Sequence, residues 1–245
     1  SGSTDGAGNY AKWGHAIAIG GGTSSSGAMH AVAYSALLWD GKGLVRTYMQ
    51  PTEDLGIDPF HPPDFVGANA NDELGCAVAM NKDGDVLAIG VCGADKVQVY
   101  TFDGSLWNQM GADILGSTHG MTGVGFGSAL ALSWDGLTLA VGTRGNHGSA
   151  IANRAVVLVW NENNNAWERR GNAFNNAPSL GVAYEIVSPN VALSADGQTF
   201  AFGAPGGDYV RVFGWYGNEW KQLAGDIAGE TGGRGGWAVG LSYDG

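Results

Sequence analysis

The chain has 245 residues and a formal net charge of −11, and 14% of its residues are charged. This acidic balance disfavours nucleic acid and anionic membranes as partners, because both select clustered lysine and arginine. No apolar run in the sequence approaches the ~20 residues that a membrane-spanning helix needs. The 43 glycines fall at turns and strand ends, which is typical of a folded β protein rather than of a disordered chain.

The N-terminal part contains the first candidate strands. We interpret WGHAIAIGGG at 13–22 as the second strand of a four-stranded unit whose first strand is missing. GGGTSSSG at 20–27 lacks the lysine of a phosphate-binding loop, so we interpret it as a surface loop. YSALLWDGKGLV at 34–45 then predicts the third and fourth strands of this unit, joined by a turn.

The segment PTEDLGIDPFHPPDF at 51–65 departs from the pattern of the rest of the chain, and residues 51–73 are predicted to form an inserted loop. Its carboxylates and histidine could hold a divalent cation such as calcium, since hard cations bind carboxylate oxygens. The alternative is a solvated acidic loop that prolines make stiff. The candidate ligands are Asp54, Asp58, His61 and Asp64.

A hairpin with an Asp-Gly turn occurs three times after this segment. Its glycine permits the positive φ that a tight reversal needs. The apolar runs on both sides of the turn are too short for helices and fit buried strands. The copies are CAVAMNKDGDVLAIG at 76–90, SALALSWDGLTLAVG at 128–142 and NVALSADGQTFAFG at 190–203.

A second hairpin, with aromatic residues on both sides of its turn, follows each Asp-Gly hairpin. The two hairpins together predict a repeated unit of four strands. Nearly identical stretches, WNQMGADILG at 107–116 and WKQLAGDIAG at 220–229, mark the last strand and the link to the next unit. The copies of the second hairpin are VQVYTFDGSLW at 97–107, AVVLVWNENNNAW at 155–167 and VRVFGWYGNEW at 210–220.

Repetition of a four-stranded antiparallel unit at roughly 50–60 residues predicts a β-propeller. The fold prediction is all-β, with four blades of four antiparallel strands, closed between the N- and C-termini. In this interpretation GWAVGLSYDG at 236–245 supplies the first strand of the first blade, which removes the exposed sheet edges. The alternative is an array cut from a longer one. The predicted blades are residues 237–245 together with 14–50, then 75–116, 127–172 and 189–230.

Two cysteines, Cys76 and Cys92, lie near the two ends of one hairpin. The expected pairing places their side chains on opposite faces of the sheet, which favours two buried free thiols over a disulfide. A change of register by one residue would reverse this expectation.

The aromatic residues that repeat in every unit are expected to pack between neighbouring blades. Trp13 and Trp134 lie outside the repeated positions and are candidate partner contacts, as is His147 in a long loop. The five histidines form no metalloprotease motif, and no nucleophile-elbow motif supports a serine triad. The sequence therefore predicts neither catalytic residues nor an organic cofactor.

The line LSADGQTFAFGAPGGDYVRVFGWYGNEWKQLAGDIAGE at 193–230 resembles the FG-GAP type of propeller repeat. FG stands at Phe126-Gly127, and GAP stands at Gly203-Ala204-Pro205. The resemblance extends to long secreted repeat proteins of algae and marine bacteria. It implies an extracellular adhesive or scaffolding protein and no particular reaction.

The main functional prediction is a non-catalytic extracellular structural or adhesive module that displays rim loops to a protein or glycan partner. Self-association or a protein partner is expected, and the chain is expected to be secreted or on the cell surface. One alternative is an accessory extrinsic subunit of a larger membrane-associated complex, in an organelle lumen. Another is a glycan-active enzyme, which would need carboxylates at the mouth of the central channel.

Overall fold

The computed structural model describes residues 12–24, 27–37, 40–51, 62–144, 154–175 and 190–245. They form four antiparallel sheets, and the first strands of successive sheets contact one another. This arrangement is a β-propeller array, and it confirms the prediction of an all-β fold with four blades. The first sheet contains β1 (Lys12–Ser24), β2 (Gly27–Leu37), β3 (Leu44–Pro51) and β4 (Phe65–Val66). The second contains β5 (Leu74–Met80), β6 (Val86–Val91), β7 (Lys96–Phe102), β8 (Trp107–Gln109) and β9 (Ile114–Leu115). The third contains β10 (Phe126–Leu132), β11 (Thr138–Thr143), β12 (Arg154–Asn161), β13 (Ala166–Arg169) and β14 (Phe174–Asn175), and the fourth contains β15 (Val191–Leu193), β16 (Thr199–Ala204), β17 (Tyr209–Tyr216), β18 (Glu219–Gln222) and β19 (Ile227–Ala228).

Short 3-10 turns connect some of these strands, at Cys92–Ala94, Gly116–His119 and Pro205–Gly207. The central strands of the second and third sheets are buried on both faces. All six residues of β6 and all six of β11 are buried, whereas a half-exposed strand would alternate between buried and exposed residues. Each of these sheets therefore needs a neighbour on each face, and the apolar core lies between the sheets.

A tryptophan in the outer strand of each later sheet ties that sheet to the one before it. Its ring packs against the apolar core, and its indole N–H donates to an oxygen of the preceding unit. This confirms the prediction that the repeated aromatic residues pack between blades. The bonds join Trp107 to Thr47 Oγ1 (3.0 Å), Trp167 to the Met110 carbonyl (3.2 Å) and Trp220 to the Arg170 carbonyl (2.7 Å).

The first sheet differs from the sequence prediction by one strand. Residues 13–22 belong to its first strand, β1, which pairs with β2. Asp40-Gly41, interpreted as part of the turn between the third and fourth strands, instead lies between β2 and β3. The Asp-Gly pair resembles the turns of the other repeats and was therefore assigned to the wrong hairpin. β1 and β2 pair as far as Ser24 and Gly27, and the sequence between those two residues contains no Asp-Gly pair.

The C-terminal segment lies on the fourth sheet. Gly245 packs against Thr199 as Gly197 packs against Thr138 and as Gly136 packs against Val86. Residues 235–245 thus contact the fourth sheet as the first strand of each sheet contacts the sheet before it. Within the described ranges, the first sheet draws its strands from residues 12–66, and the expected strand exchange between the two ends is not seen.

The two cysteines form a disulfide, with Cα atoms 6.1 Å apart, so the prediction of free thiols is wrong. Val78 pairs with Ile89 and Leu74 pairs with Val91, and the pairing is irregular between Leu74 and Val78. This bulge turns Cys76 toward Cys92.

Replacing Gly136 tests the contact between sheets. Gly136 has a φ of +73°, and an added Cβ would lie 2.6 Å from Val86 Cγ2. We expect Gly136→Ala to lower the free energy of unfolding by ~1–2 kcal/mol for the left-handed backbone and by ~1–3 kcal/mol more for overpacking. Gly120→Ala is the matched control, since its φ is +71° and nothing lies within 4 Å of the added Cβ. Equal losses in urea denaturation would contradict the packing argument.

The disulfide should be measurable as a stability difference. Closing a loop between residues 16 apart stabilises a fold by ~3 kcal/mol in the chain-entropy description. We expect Cys92→Ser to lower the free energy of unfolding by about this amount, and a reductant to lower it equally in the unmodified chain. A reductant that leaves the denaturation midpoint unchanged would restore the free-thiol interpretation.

Candidate functional site

A position with an unusual backbone lies directly before the first strands β5 and β10 and recurs at Arg234 in the C-terminal segment. Glu73, Gly125 and Arg234 have φ values of 52°, 65° and 56°. The carbonyl of each accepts a hydrogen bond from the amide three residues later. Glycine adopts this conformation at no steric cost, whereas Glu73 and Arg234 are strained there. Glu73 and Arg234 are therefore candidates for a functional role, although Asp95 and Asp208 adopt a similar backbone at structural positions.

Glu73 forms an ion pair with Arg144 at this position. The Arg144 guanidinium donates to Glu73 Oε2 at 2.7 Å, although Glu73 precedes β5 in the second sheet and Arg144 follows β11 in the third. Gly125 makes room for this approach, because a Cβ there would lie 2.6 Å from Arg144 Cγ. The pair bridges the ends of two neighbouring inner strands, with both side chains about one-third exposed.

The backbone on both sides of the pair is fixed. The Glu73 amide donates to the Gly41 carbonyl at 2.8 Å, and the disulfide anchors the chain at Cys76. Arg144 follows Thr143, whose hydroxyl oxygen accepts a hydrogen bond from the Arg154 amide at 3.0 Å. Rigid support of this kind holds reactive groups in place without ordering them on each encounter.

The link that precedes Gly125 is held by Asp95, which itself has a left-handed backbone. The Asp95 carboxylate accepts hydrogen bonds from the amides of Gly123 and Phe126, the second at 2.9 Å. Asp208 holds the link before Arg234 in the same way. These two aspartates therefore fix the backbone around Gly125 and Arg234. Glu73, at the equivalent position before β5, instead pairs with an arginine.

The Glu73–Arg144 pair combines two complementary chemical groups. A carboxylate can accept a proton from an attacking water, which is general base catalysis. A guanidinium remains charged at all relevant pH values and can donate to an oxygen on which negative charge develops. Partial exposure leaves both groups accessible to a small substrate.

His119 is the histidine whose side chain the structure describes. Its Nδ1 lies 3.2 Å from the Arg169 guanidinium, and its ring stacks on Phe126. Burial, and then the charge of Arg169, lowers the pKa of His119 below its usual value, so the ring is neutral near pH 7.

Of the predicted metal ligands, Asp54, Asp58 and His61 lie outside the described residues. Asp64 accepts two hydrogen bonds from Arg46, at 2.8 and 2.6 Å. No cluster of potential ligands occurs among the residues that the structure describes. The cation site therefore stays a prediction for the residues outside these ranges.

The Asp64 ion pair is part of the repeat. Asp226 accepts from Arg211 at 2.7 and 2.8 Å in the fourth sheet, and Asp64 and Asp226 each precede the short strand that closes their sheet. The Arg211 hydrogen bonds lower the pKa of Asp226. Asp64 thus has a structural role that its aligned position in the repeat could have indicated.

Of the predicted partner contacts, Trp134 is the one whose side chain the structure describes. Trp134 is 43% exposed, its ring lies 4.3 Å from that of Tyr243, and the Lys82 ammonium lies 4.6 Å from its centroid. Trp13 belongs to β1 but its side chain is not described, and His147 lies outside the described ranges. Their partner role stays a prediction.

No protein-family profile matches the sequence, and no curated protein matches it. Solved structures match over most of the chain. A candidate 6-phosphogluconolactonase from Bacteroides uniformis gives a TM-score of 0.57 at 13% identity, over 93% of this chain and 59% of its own. The periplasmic gluconolactonase of Pseudomonas aeruginosa gives 0.56 at 19% identity, over 90% and 55%. This chain thus spans less than three-fifths of the length of those proteins.

These similarities correct the functional prediction. The sequence favoured a non-catalytic structural or adhesive module and no enzyme, and that prediction is wrong on this comparison, because the matched structures include lactonases. The glycan-active alternative is better supported. At this level of identity the likeness itself establishes the fold. Among the described residues, no helix is long and apolar enough to cross a membrane.

The Glu73–Arg144 pair should contribute little to stability. Its side chains are 32% and 38% exposed, and ion pairs at such sites contribute ~0–1 kcal/mol. We expect Glu73→Gln, Arg144→Met and the double variant to unfold within ~1 kcal/mol of the unmodified chain. A coupling energy near 3 kcal/mol in the double-mutant cycle would identify the pair as a structural element instead.

Proposed function

We propose that the chain is a hydrolase of sugar-derived lactones whose reaction centre contains Glu73 and Arg144. The observation that carries this proposal is the 2.7 Å ion pair at a strained backbone position where two inner strands end. The likeness of the fold to lactonases supports the choice of substrate class. The proposal thus specifies the glycan-active alternative: the site is the Glu73–Arg144 pair, and the reaction is hydrolysis of a lactone.

In the proposed reaction, Glu73 accepts a proton from a water molecule while the water oxygen bonds to the lactone carbonyl carbon. Arg144 donates to the carbonyl oxygen as it becomes negatively charged. The ring C–O bond then breaks, and the proton held by Glu73 moves to the leaving alkoxide oxygen. The product is an open-chain hydroxy acid, and the carboxylate of Glu73 is regenerated.

The arginine has two partners in this mechanism. In the free protein it neutralises Glu73, and in the complex it turns part of its planar fork toward the substrate oxygen. Five N–H donors make such sharing feasible. Gly125 matters here because a larger residue would displace the Arg144 side chain.

We also propose an oxidising compartment, such as the cell exterior or the periplasm. Disulfides persist in oxidising environments and are rare in the cytosol, and the chain joins Cys76 to Cys92. The periplasmic location of one matched lactonase agrees with this proposal.

We further propose that the repeat is of the FG-GAP type. Phe126-Gly127 begins β10, and Gly203-Ala204-Pro205 spans the end of β16 and the start of a 3-10 turn. Both motifs thus lie at the ends of inner strands, where sheets meet.

The proposed function is tested with D-glucono-1,5-lactone, by titrating the acid released above the spontaneous rate. We expect Glu73→Gln to lower kcat by at least ~100-fold, since a positioned general base contributes 10²–10⁴-fold. We expect Arg144→Met to lower it by ~100–1000-fold, as loss of an oxyanion donor does.

Glu219→Gln is the matched control, because it removes an exposed carboxylate that pairs with Lys221 in the fourth sheet. It should retain full activity. A lactone that opens no faster with protein than without it, or a Glu73→Gln variant as active as the unmodified chain, would refute the proposal.

A further inference from the structure

An aspartate at one repeated position is present in three of the four sheets. It directly precedes the short strand that pairs with the start of the third strand of its sheet. Each carboxylate accepts hydrogen bonds from a cationic side chain of its own sheet. These aspartates are Asp64, Asp113 and Asp226. In the third sheet the same position, directly before β14, is occupied by Ala173.

The third sheet lacks this carboxylate but has more positive charge around its place. Arg154 begins β12 where Lys96 begins β7, and the Lys96 ammonium donates to Asp113 at 2.7 Å. Arg169 of β13 stands where Gln109 stands in β8, and Gln109 donates to the same carboxylate at 2.8 Å. The positions whose side chains meet at one carboxylate in the second sheet therefore both carry an arginine in the third.

The two arginines contact adjacent residues of the link at 116–125. Arg154 Nη1 donates to the Gly120 carbonyl at 3.1 Å, and Arg169 Nη2 lies 3.2 Å from His119 Nδ1. Within the described ranges, neither guanidinium forms an ion pair with a carboxylate. Two like charges directed to one place repel each other, and an anion between them would remove that repulsion.

Most hydrogen-bond donors of these side chains stay available for a ligand. A guanidinium has five N–H donors, and the contacts described above use one from each arginine. Arg169 is exposed and Arg154 is half-buried, so a small molecule in solution can reach them. Asp95, whose carboxylate also contacts this link, accepts from the amides of Gly123 and Phe126 and is thereby engaged.

The balance of charge favours an anion with two negative charges. Asp226 pairs with one arginine and Asp113 with one lysine, so one carboxylate neutralises one cation in those sheets. Arg154 and Arg169 are both permanently charged, and a single carboxylate would neutralise half of that charge. A phosphate group carries close to two negative charges at neutral pH, and its three oxygens fit the planar fork of arginine.

We propose that the groove beside Ala173 binds a phosphate group through Arg154 and Arg169. Inorganic phosphate and a small phosphate monoester both offer this group. The proposal is independent of the reaction assigned to Glu73 and Arg144, because neither of those residues contributes to the groove. Since the site is partly exposed, we expect a dissociation constant of about 1 mM at low ionic strength, and weaker binding as salt is added.

The test is a titration of the labelled full chain with inorganic phosphate at about pH 7.5, followed by NMR of the His119 ring and of the Gly120 and Arg154 amides. Saturable shifts at these groups are expected. Acetate, which carries one charge, should bind at least ~10-fold more weakly. Burial and then the charge of Arg169 lower the pKa of His119, so a bound anion, which offsets that charge, should raise this pKa.

A second titration with glycerol 1-phosphate identifies the source of the group. Equal binding of the two compounds would show that the phosphate group alone is recognised. Binding of the ester at least ~10-fold tighter than inorganic phosphate would assign the site to phosphate esters.

Two variants restore residues of the other sheets at this place. Arg169→Gln copies Gln109 and should weaken phosphate binding at least ~10-fold. Ala173→Asp restores the missing carboxylate and should abolish the saturable shifts, because an internal anion then occupies the arginines. Lys221→Gln is the matched control, since it removes a cation of the fourth sheet that pairs with Glu219, and it should bind phosphate unchanged.

Three results would overturn the proposal. They are acetate binding as tightly as phosphate, phosphate binding that neither Arg169→Gln nor Ala173→Asp weakens, and the absence of saturable shifts with phosphate at about 50 mM.

Discussion

The structure depends on the burial of the second and third sheets between their neighbours. A strand such as β11, with all six residues buried, cannot be stable in an isolated sheet, since one of its faces would remain in water. The tryptophan of the next outer strand adds a large ring to each interface. The indole N–H of Trp107, Trp167 and Trp220 donates a hydrogen bond to an oxygen of the preceding unit, so each buried donor has a partner.

Repetition of one interface makes departures from it informative. At the residue before the first strand, glycine suffices for the backbone, as Gly125 demonstrates. A glutamate at the same place in the second sheet carries a steric cost that the fold does not require. Its contact with Arg144, across the space that Gly125 leaves open, offers a reason for that cost. The rigid array thus supplies what catalysis needs, which is groups fixed in advance of the substrate.

The sequence predicted the three Asp-Gly hairpins and the packing of the tryptophans, because both repeat with the period of the fold. The prediction was wrong where one turn resembled another, and where the sequence contained no pattern that indicates the structure. Asp40-Gly41 resembled a turn of the wrong hairpin, and a bulge after Leu74 could not be read from residue spacing. The Glu73–Arg144 pair joins residues from two sheets, so no local motif marks it. Aligning the residues that precede β5 and β10 would have shown Glu73 at the place that Gly125 occupies in the next sheet.

The link between the first two sheets ends at the proposed reaction centre. Its last residue is Glu73, and its shortness leaves open a space that Met121 and Val124 fill at the next interface. The short link therefore leaves a cavity beside Phe65, whereas the left-handed backbone of its last residue recurs at Gly125 at the end of the longer link. Loops tolerate such changes in length at small thermodynamic cost. A repeated fold can thus acquire chemistry at one interface without weakening the others, because the altered residues lie in the links and the buried strands stay the same.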